Sequence, residues 1–216
     1  LGFWIPAGSR DEDEAHAGVT HFIEHLLFKG SSRFTAEEIA QEFDSIGGEL
    51  NAATSKEYVV VYGRFLDEHL ERALDVLVDM LLTPTFADLD RERQVILEEI
   101  AMYEDAPQDL IHDLFARTVF ANHPLGHTIL GSRHSIAEMP EERIRNYHHR
   151  HFALSDMVVA AAGDVDHDQL RELVLAKHDT HNGHALQRAD ANVEWKAGTA
   201  FLAKETEQVH VCLGGP

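Results

Sequence analysis

The pentapeptide His21-Phe22-Ile23-Glu24-His25 holds the residue types best suited to chemistry in this chain. On an α-helix, which turns by about 100° per residue, His21, Glu24 and His25 fall on one side, so two imidazoles and one carboxylate point the same way. Two neutral imidazoles one turn apart suit Zn²⁺, and a neighbouring carboxylate that is not a ligand can accept a proton from an attacking water. The pattern therefore predicts a metal site with a general base.

A third ligand is predicted on a helix over residues 88–104, where Glu92 and Glu99 are seven residues apart and so lie on the same side. The apolar residues of that side are Val95, Ile96 and Tyr103. Acids set into an apolar stripe are costly to bury unless something neutralises them, and a metal ion would do so. Glu98 points about 100° away, so we expect Glu99 to be the third ligand and Glu92 a supporting acid. The alternative is that both acids lie on a solvated helix face.

Composition sets the limits within which this site must work. The chain has 216 residues and a formal charge of −20, from 38 acidic residues against 18 Lys and Arg. This charge argues against nucleic acid or an anionic membrane as a partner and is compatible with a basic peptide. The single cysteine, Cys212, excludes an internal disulfide, and no apolar run is long enough to span a membrane.

Hydrophobic periodicity and turn residues predict mixed strands and helices. We expect helices over residues 16–29, 35–46, 67–82, 88–104, 107–120, 140–151 and 166–178. We expect strands over residues 1–5, 49–53, 57–65, 157–162, 193–203 and 208–213, and a linker or long loop over residues 178–191. Both ends of the sequence read as interrupted strands, so we expect a domain, residues 1–216, that is truncated at both ends.

The whole sequence resembles the N-terminal domain of the pitrilysin, insulin-degrading enzyme and mitochondrial processing peptidase family, and most closely its bacterial processing-peptidase-type members. The stretches that carry the resemblance are residues 7–10, 18–30, 47–57, 95–107 and 124–131. His-x-x-Glu-His is the inverted form of the commoner zinc-peptidase motif. The resemblance implies that His21, His25 and Glu99 bind zinc, that Glu24 is the general base and that Glu92 is a second acid of the site. It also implies that Asn51 and Ala52 hold the substrate backbone as an added β-strand.

The resemblance further implies an α+β fold, with a mixed, mostly antiparallel sheet, helices on one face and the motif helix against the sheet. It implies a zinc-dependent endopeptidase with one Zn²⁺ per chain, acting on peptides or on unfolded, presequence-like segments. A second homologous domain, or a homodimeric or heterodimeric partner, would close on the substrate like a clamshell. We expect no nucleic-acid partner, no membrane insertion and a cytoplasmic location.

Three other functions remain open. The chain could be a non-catalytic or incomplete family subunit that needs a partner domain for activity. It could be an S-ribosylhomocysteine lyase, which shares His-x-x-Glu-His but relies on a catalytic cysteine, for which Cys212 near the chain end is a poor candidate. It could also be a His-rich protein that binds metals without catalysis. The other histidine groups are interpreted as solvated and given no role; they are His148, His149 and His151, and His178, His181 and His184.

Overall fold

The fold is a four-stranded sheet with helices packed against one face. The structure is a computed structural model that describes residues 1–121, 123–177, 193–205 and 207–215. The strands are β1 (Gly2–Ile5), β2 (Glu49–Thr54), β3 (Val59–Arg64) and β4 (Val158–Ala160). The α-helices are α1 (Val19–Leu27), α2 (Ala36–Ser45), α3 (Leu70–Leu82), α4 (Leu89–Glu104), α5 (Pro107–Phe120), α6 (Arg133–Glu138), α7 (Glu141–His151) and α8 (His167–Ala176).

The strand order is β2-β3-β1-β4, and each neighbouring pair is antiparallel. The predicted α+β class is therefore confirmed, but the described sheet contains no parallel pair and so is antiparallel rather than mixed. Strand alternation sorts the side chains between the two faces. Phe3 and Ile5 of β1 are fully buried beneath the helices, whereas Trp4 between them is 36% exposed on the other face.

Two strand predictions near the end of the chain are wrong. Residues 193–203 and 208–213 are β-prone in sequence, yet the structure assigns neither segment to the sheet. Part of this region lies along α5 instead, where the Lys196 N–H bonds to the carbonyl oxygen of Val119 at 3.0 Å. A β-prone segment becomes a strand only when another strand pairs with it, and sequence pattern alone does not supply that partner. The loop predicted over residues 178–191 lies outside the described residues.

Helix α1 is the central element of the core. It contacts α4, α7 and β2, and seven of its nine residues are buried. It begins at Val19, three residues later than predicted, because Gly18 adopts φ +87° and the chain before it forms a short 3₁₀ turn over Glu14–His16. The buried carboxylate of Glu12 accepts the N–H groups of Gly18 at 2.7 Å and Thr20 at 2.9 Å, which fixes this helix start.

No helix among the described residues is long and apolar enough to cross a membrane.

Candidate metal centre

Helix α1 presents the two histidines of the motif toward α4 and the acid toward β2. His21 is 7% exposed, and His25 and Glu24 are partly buried. The two imidazole rings lie edge to face with their centroids 4.7 Å apart. Their spacing of one helical turn places them side by side, as the sequence predicts.

Helix α4 brings Glu99 to the same point. One oxygen, Oε2 of Glu99, lies 3.7 Å from Nε2 of His21 and 3.5 Å from Nε2 of His25. Among the residues that the structure describes, these three side chains form the group whose ligand atoms could hold one ion, with all of those atoms within 4.8 Å of one another. The neighbouring Glu98 is exposed and does not take part.

These separations suit a small tetrahedral ion. Zinc bonds of about 2.1 Å at tetrahedral angles place two ligand atoms about 3.4 Å apart, close to the two distances from Glu99. Two imidazole nitrogens and one carboxylate oxygen are also a donor set that zinc accepts, and three protein ligands leave a fourth position open. The residues present therefore fit Zn²⁺.

The pKa shifts favour a neutral imidazole at His21 and a protonated one at His25. Burial lowers the pKa of His21 to about 4, so its nitrogen is free to bind a metal at neutral pH. Burial also acts to lower the pKa of His25, but hydrogen bonding to Glu99 and Glu92 outweighs it and raises the value. The pKa of Glu99 is lowered, chiefly by its hydrogen bond to His25. Imidazole–carboxylate contacts thus connect the three side chains.

Glu92 lies behind the histidines, on the buried side of α4. It is 4% exposed, and its Oε2 is 3.3 Å from Nδ1 of His25. The buried stripe of α4 runs through Glu92, Ile96 and Ile100. Val95, which the sequence interpretation assigns to this stripe, is 41% exposed, so that part of the helical register is wrong.

Glu24 stands beside the three converging side chains and contacts the sheet. Its Oε2 accepts a hydrogen bond from the hydroxyl of Thr54, the last residue of β2. Burial raises the pKa of Glu24, and the Thr54 hydroxyl opposes that rise. A carboxylate in this position can accept and return a proton next to the metal site.

Strand β2 forms one edge of the sheet, and its open edge adjoins the site. The Gly63 N–H of β3 donates a hydrogen bond to the carbonyl oxygen of Leu1, on the side of β3 that faces β1. Gly63 therefore makes no backbone hydrogen bond to Leu50, its partner on β2, and the N–H and C=O groups of Leu50 point away from β3 to the open edge. Residues alternate along a strand, so Ala52 and Thr54 also face the open edge. The Ala52 N–H accordingly bonds to Oδ1 of Asn51 at 2.8 Å rather than to a strand. Ala52 thus offers its backbone to the edge, and Asn51 offers its side chain.

Two contacts of the site are missing from the sequence interpretation. They are the hydroxyl of Thr54 on Glu24 and the ammonium of Lys29, whose Nζ is 2.9 Å from Oε1 of Glu92. Lys29 lies four residues after His25, a spacing that indicates a shared helix face. Thr54 gives a weaker signal, since only the strand alternation from Ala52 connects it with the site.

The other histidine groups stand apart from this centre. His148 is buried, its Nε2 is 2.8 Å from the carbonyl oxygen of Leu81, and its ring stacks on Phe152. That environment packs a side chain into the core rather than exposing it to solvent, so the solvated interpretation of His148 is wrong. His178, His181 and His184 lie outside the described residues.

Two family models match this chain. The family model described as "Insulinase (Peptidase family M16)" matches residues 1–133, which include the whole candidate centre. A second family model, described as "Peptidase M16 inactive domain", matches residues 139–216.

Similar proteins include two bacterial ones and one from a plant. A Bacillus subtilis protein named as an uncharacterized zinc protease is 40% identical over 99% of this chain and 53% of its own length. A Streptomyces coelicolor protein of the same description is 41% identical over 100% of this chain and 49% of its own length. An Arabidopsis thaliana protein named "Probable mitochondrial-processing peptidase subunit beta" is 41% identical over 81% of this chain and 33% of its own. The chain spans about half the length of these bacterial relatives.

Solved structures share the fold. A protease from Helicobacter pylori superposes with a TM-score of 0.79 and 23% identity, over 90% of this chain and 47% of that one. The periplasmic protease PqqL from Escherichia coli superposes with a TM-score of 0.78 and 24% identity, over 91% of this chain and 22% of that one. At these identities, the likeness establishes the architecture.

Proposed function

Since this chain belongs to the insulinase family of peptidases, family M16, we propose that it is the zinc-binding catalytic domain of a metalloendopeptidase. The observation that carries the proposal is the convergence of two imidazole nitrogens, from His21 and His25, on one carboxylate oxygen of Glu99. Relatives named as zinc proteases support zinc as the metal. We propose one Zn²⁺ per chain, held by these three residues.

Glu24, Thr54 and Glu92 would each have a different role in hydrolysis. Zinc, when bound, would supply a Lewis acid that acidifies water and polarises the scissile carbonyl group. Glu24 would accept the proton of the attacking water and pass it to the leaving amine. The Thr54 hydroxyl donates to one carboxylate oxygen of Glu24 and would hold that carboxylate in place for this transfer. Glu92 would orient His25 through its Nδ1.

We propose that the substrate enters as an extended strand on the open edge of β2. Ala52 directs its backbone polar groups outward there, and the Asn51 amide would bind the same peptide once it leaves the Ala52 N–H. A strand added at this edge would run past Thr54 and Glu24, so a carbonyl group could reach the metal. The charge of −20 favours a basic, unfolded or presequence-like segment.

We also propose that a second homologous unit completes the enzyme. The chain covers 53% of the Bacillus relative and 47% of the Helicobacter protease, so proteins of this type carry further chain. A second domain, or a partner in a homodimer or heterodimer, would close the open side of the centre as a clamshell. A cytoplasmic location stays a prediction.

The alternative is a non-catalytic or incomplete subunit that needs a partner for activity. The match of residues 139–216 to a family model named as an inactive domain favours it. The presence of His21, Glu24, His25 and Glu99 within the other match supports the catalytic proposal instead.

A cleavage assay separates the two proposals. Cleavage of a basic, unfolded reporter peptide is measured with the chain alone, after a chelator is added, and after zinc is restored. The Glu24→Gln variant is the matched control. Chelator-sensitive cleavage that zinc restores would support the peptidase. One bound zinc without cleavage would support the incomplete subunit, and a chain that binds no zinc would contradict both the metal centre and the peptidase.

A further inference from the structure

The carboxylate of Glu92 bridges two side chains from the end of the motif helix. Its Oε1 is 2.9 Å from Nζ of Lys29, and its Oε2 is 3.3 Å from Nδ1 of His25. His25 and Lys29 are four residues apart, so they lie one above the other and both reach the same acid on α4. Each carboxylate oxygen therefore has a separate partner.

This carboxylate needs a counter-charge because it is almost fully buried. Glu92 is 4% exposed, whereas the Lys29 side chain keeps 31% of its surface in solvent. A buried anion without a partner is strongly destabilising, while one that is paired and hydrogen-bonded is tolerated. The Lys29 ammonium lies just beyond the carboxyl end of α1, where the helix dipole also favours a positive charge.

The two candidate histidine ligands differ in how they are held. The buried Nδ1 of His21 has no hydrogen-bond partner among the described residues, so no side chain orients that ring through Nδ1. His25 is half-buried and is oriented through its Nδ1 by Glu92. The position of the Glu92 carboxylate therefore decides where Nε2 of His25 points.

We propose that Lys29 is a positioning residue of the metal centre. Its ammonium holds Oε1 of Glu92, which turns Oε2 toward Nδ1 of His25 and so directs Nε2 of His25 toward Glu99. The inference rests on the proposed function, because it concerns the metal that His21, His25 and Glu99 would bind. It assigns to Lys29 a role in metal affinity without direct contact with the metal.

Zinc affinity, measured by competition with a chromogenic chelator, tests this role without any need for peptidase activity. We expect Lys29→Met to lower the affinity about tenfold or more, the scale seen when the outer partners of metal ligands are removed. Lys29→Arg keeps the charge and should stay within about threefold of the parent chain. Lys177→Met is the matched control, since Lys177 pairs with Asp75 away from the centre, and it should leave zinc affinity unchanged.

A double-mutant cycle shows whether Lys29 acts through Glu92. In a Glu92→Gln background the buried charge is absent, so adding Lys29→Met should change zinc affinity less than about threefold. An equal loss in both backgrounds would overturn the proposal. Thermal unfolding of the zinc-free variants verifies that each one folds. If Lys29→Met does not fold, Lys29→Gln replaces it with the same expected loss.

The outcomes separate this inference from the proposed function. If the parent chain binds zinc and Lys29→Met binds it equally well, the proposed role of Lys29 is contradicted and the proposed metal centre is supported. If the parent chain binds no zinc, both the proposed metal centre and the proposed role of Lys29 are contradicted.

Discussion

The hydroxyl of Thr54 donates a hydrogen bond to Oε2 of Glu24. This contact joins the last residue of the edge strand β2 to the acid of the motif helix α1. Because the backbone of Thr54 also faces the open edge of the sheet, one residue would touch both the incoming peptide and the general base. In the proposed mechanism, substrate binding and base orientation would thus be connected through a single residue.

Thr54→Val should lower kcat for peptide cleavage by roughly tenfold to a hundredfold, because a hydrogen bond to a charged group contributes about 1.5–3 kcal/mol. Valine keeps the shape of threonine and removes the hydroxyl. Thr54→Ser keeps the hydroxyl and should retain most of the activity. Steady-state kinetics at matched zinc content measures the effect, and an unchanged kcat in Thr54→Val would show that Glu24 does not depend on this hydroxyl.

Glu24→Gln should abolish cleavage and retain zinc. The amide cannot accept the proton of the attacking water, so we expect a loss of at least about a hundredfold in kcat. Zinc content per chain, measured by atomic emission, should equal that of the parent, since Glu24 is not one of the three converging side chains that could hold the ion. An active Glu24→Gln protein would remove Glu24 from the mechanism.

Glu99→Gln and Glu98→Gln form a matched pair on neighbouring positions of α4. Glu99 faces the histidines, whereas Glu98 is exposed to solvent. Glu99→Gln replaces the charged ligand by a weaker neutral one, so zinc affinity should fall by at least about tenfold. Glu98→Gln should bind zinc as the parent does. A reversed order in the chelator competition would assign the third ligand to Glu98.

Ala52→Pro should weaken substrate binding and leave the sheet intact. Proline removes an N–H group that points to the open edge, a position where edge strands accept it. We expect KM for a peptide to rise several-fold with the zinc content unchanged. Ala53→Pro is the contrast, because Ala53 pairs with Val60 and faces the ladder, so it should lower the free energy of unfolding instead. An unchanged KM in Ala52→Pro would argue against strand addition at β2.

The buried Glu12 predicts a pH dependence of stability. Burial raises the pKa of Glu12 from 4.5 to about 7, despite the hydrogen bonds that it accepts from Gly18 and Thr20 and with a small contribution from nearby Asp11. Below pH 4.5 this residue is protonated in the folded and unfolded chains alike. As the pH rises, the unfolded chain loses the proton first, so the free energy of unfolding falls until about pH 7 and then stays level.

Glu12→Gln should remove that part of the pH dependence. Between pH 4 and pH 8, the free energy of unfolding of the parent should fall by about 3 kcal/mol relative to that of Glu12→Gln. Urea unfolding of the two proteins at several pH values measures it, and the comparison cancels the other titrating groups. Parallel curves for the two proteins would contradict the raised pKa.

Much of this site could be predicted from the spacing of residues along single helices. His21 and His25 are one turn apart on a single helix, and helical periodicity distinguished the exposed Glu98 from Glu99. The meeting of α1 with α4 does not follow from spacing alone; it was inferred from the two acids in the apolar stripe of α4, with a solvated face as the alternative, and the family resemblance implied the same ligand. The exposed Val95, in the middle of α4, shows the limit of helical periodicity as a guide to burial, since a single apolar residue can face solvent at small cost.

Long-range pairing could not be predicted in the same way. The contact of Thr54 with Glu24 spans 30 residues, and no local pattern encodes it. The β-prone residues 193–203 and 208–213 failed as strands for the same reason, because strand formation depends on a partner elsewhere in the chain. Glu12 belongs to the acidic run of residues 11–14, a composition typical of an exposed loop, yet it is buried and caps the start of α1.

Helix α1 is at once the centre of the core and the carrier of both histidines, with seven of its nine residues buried. The metal-binding geometry therefore exists only when the domain is folded, and an ion held there would stabilise the folded state alone. At a free zinc concentration about a thousandfold above the dissociation constant, mass action would add about 4 kcal/mol to the free energy of unfolding. Zinc availability would thus contribute to the stability of the folded domain, and depletion of the metal would raise the fraction of unfolded chain that a protease can cut.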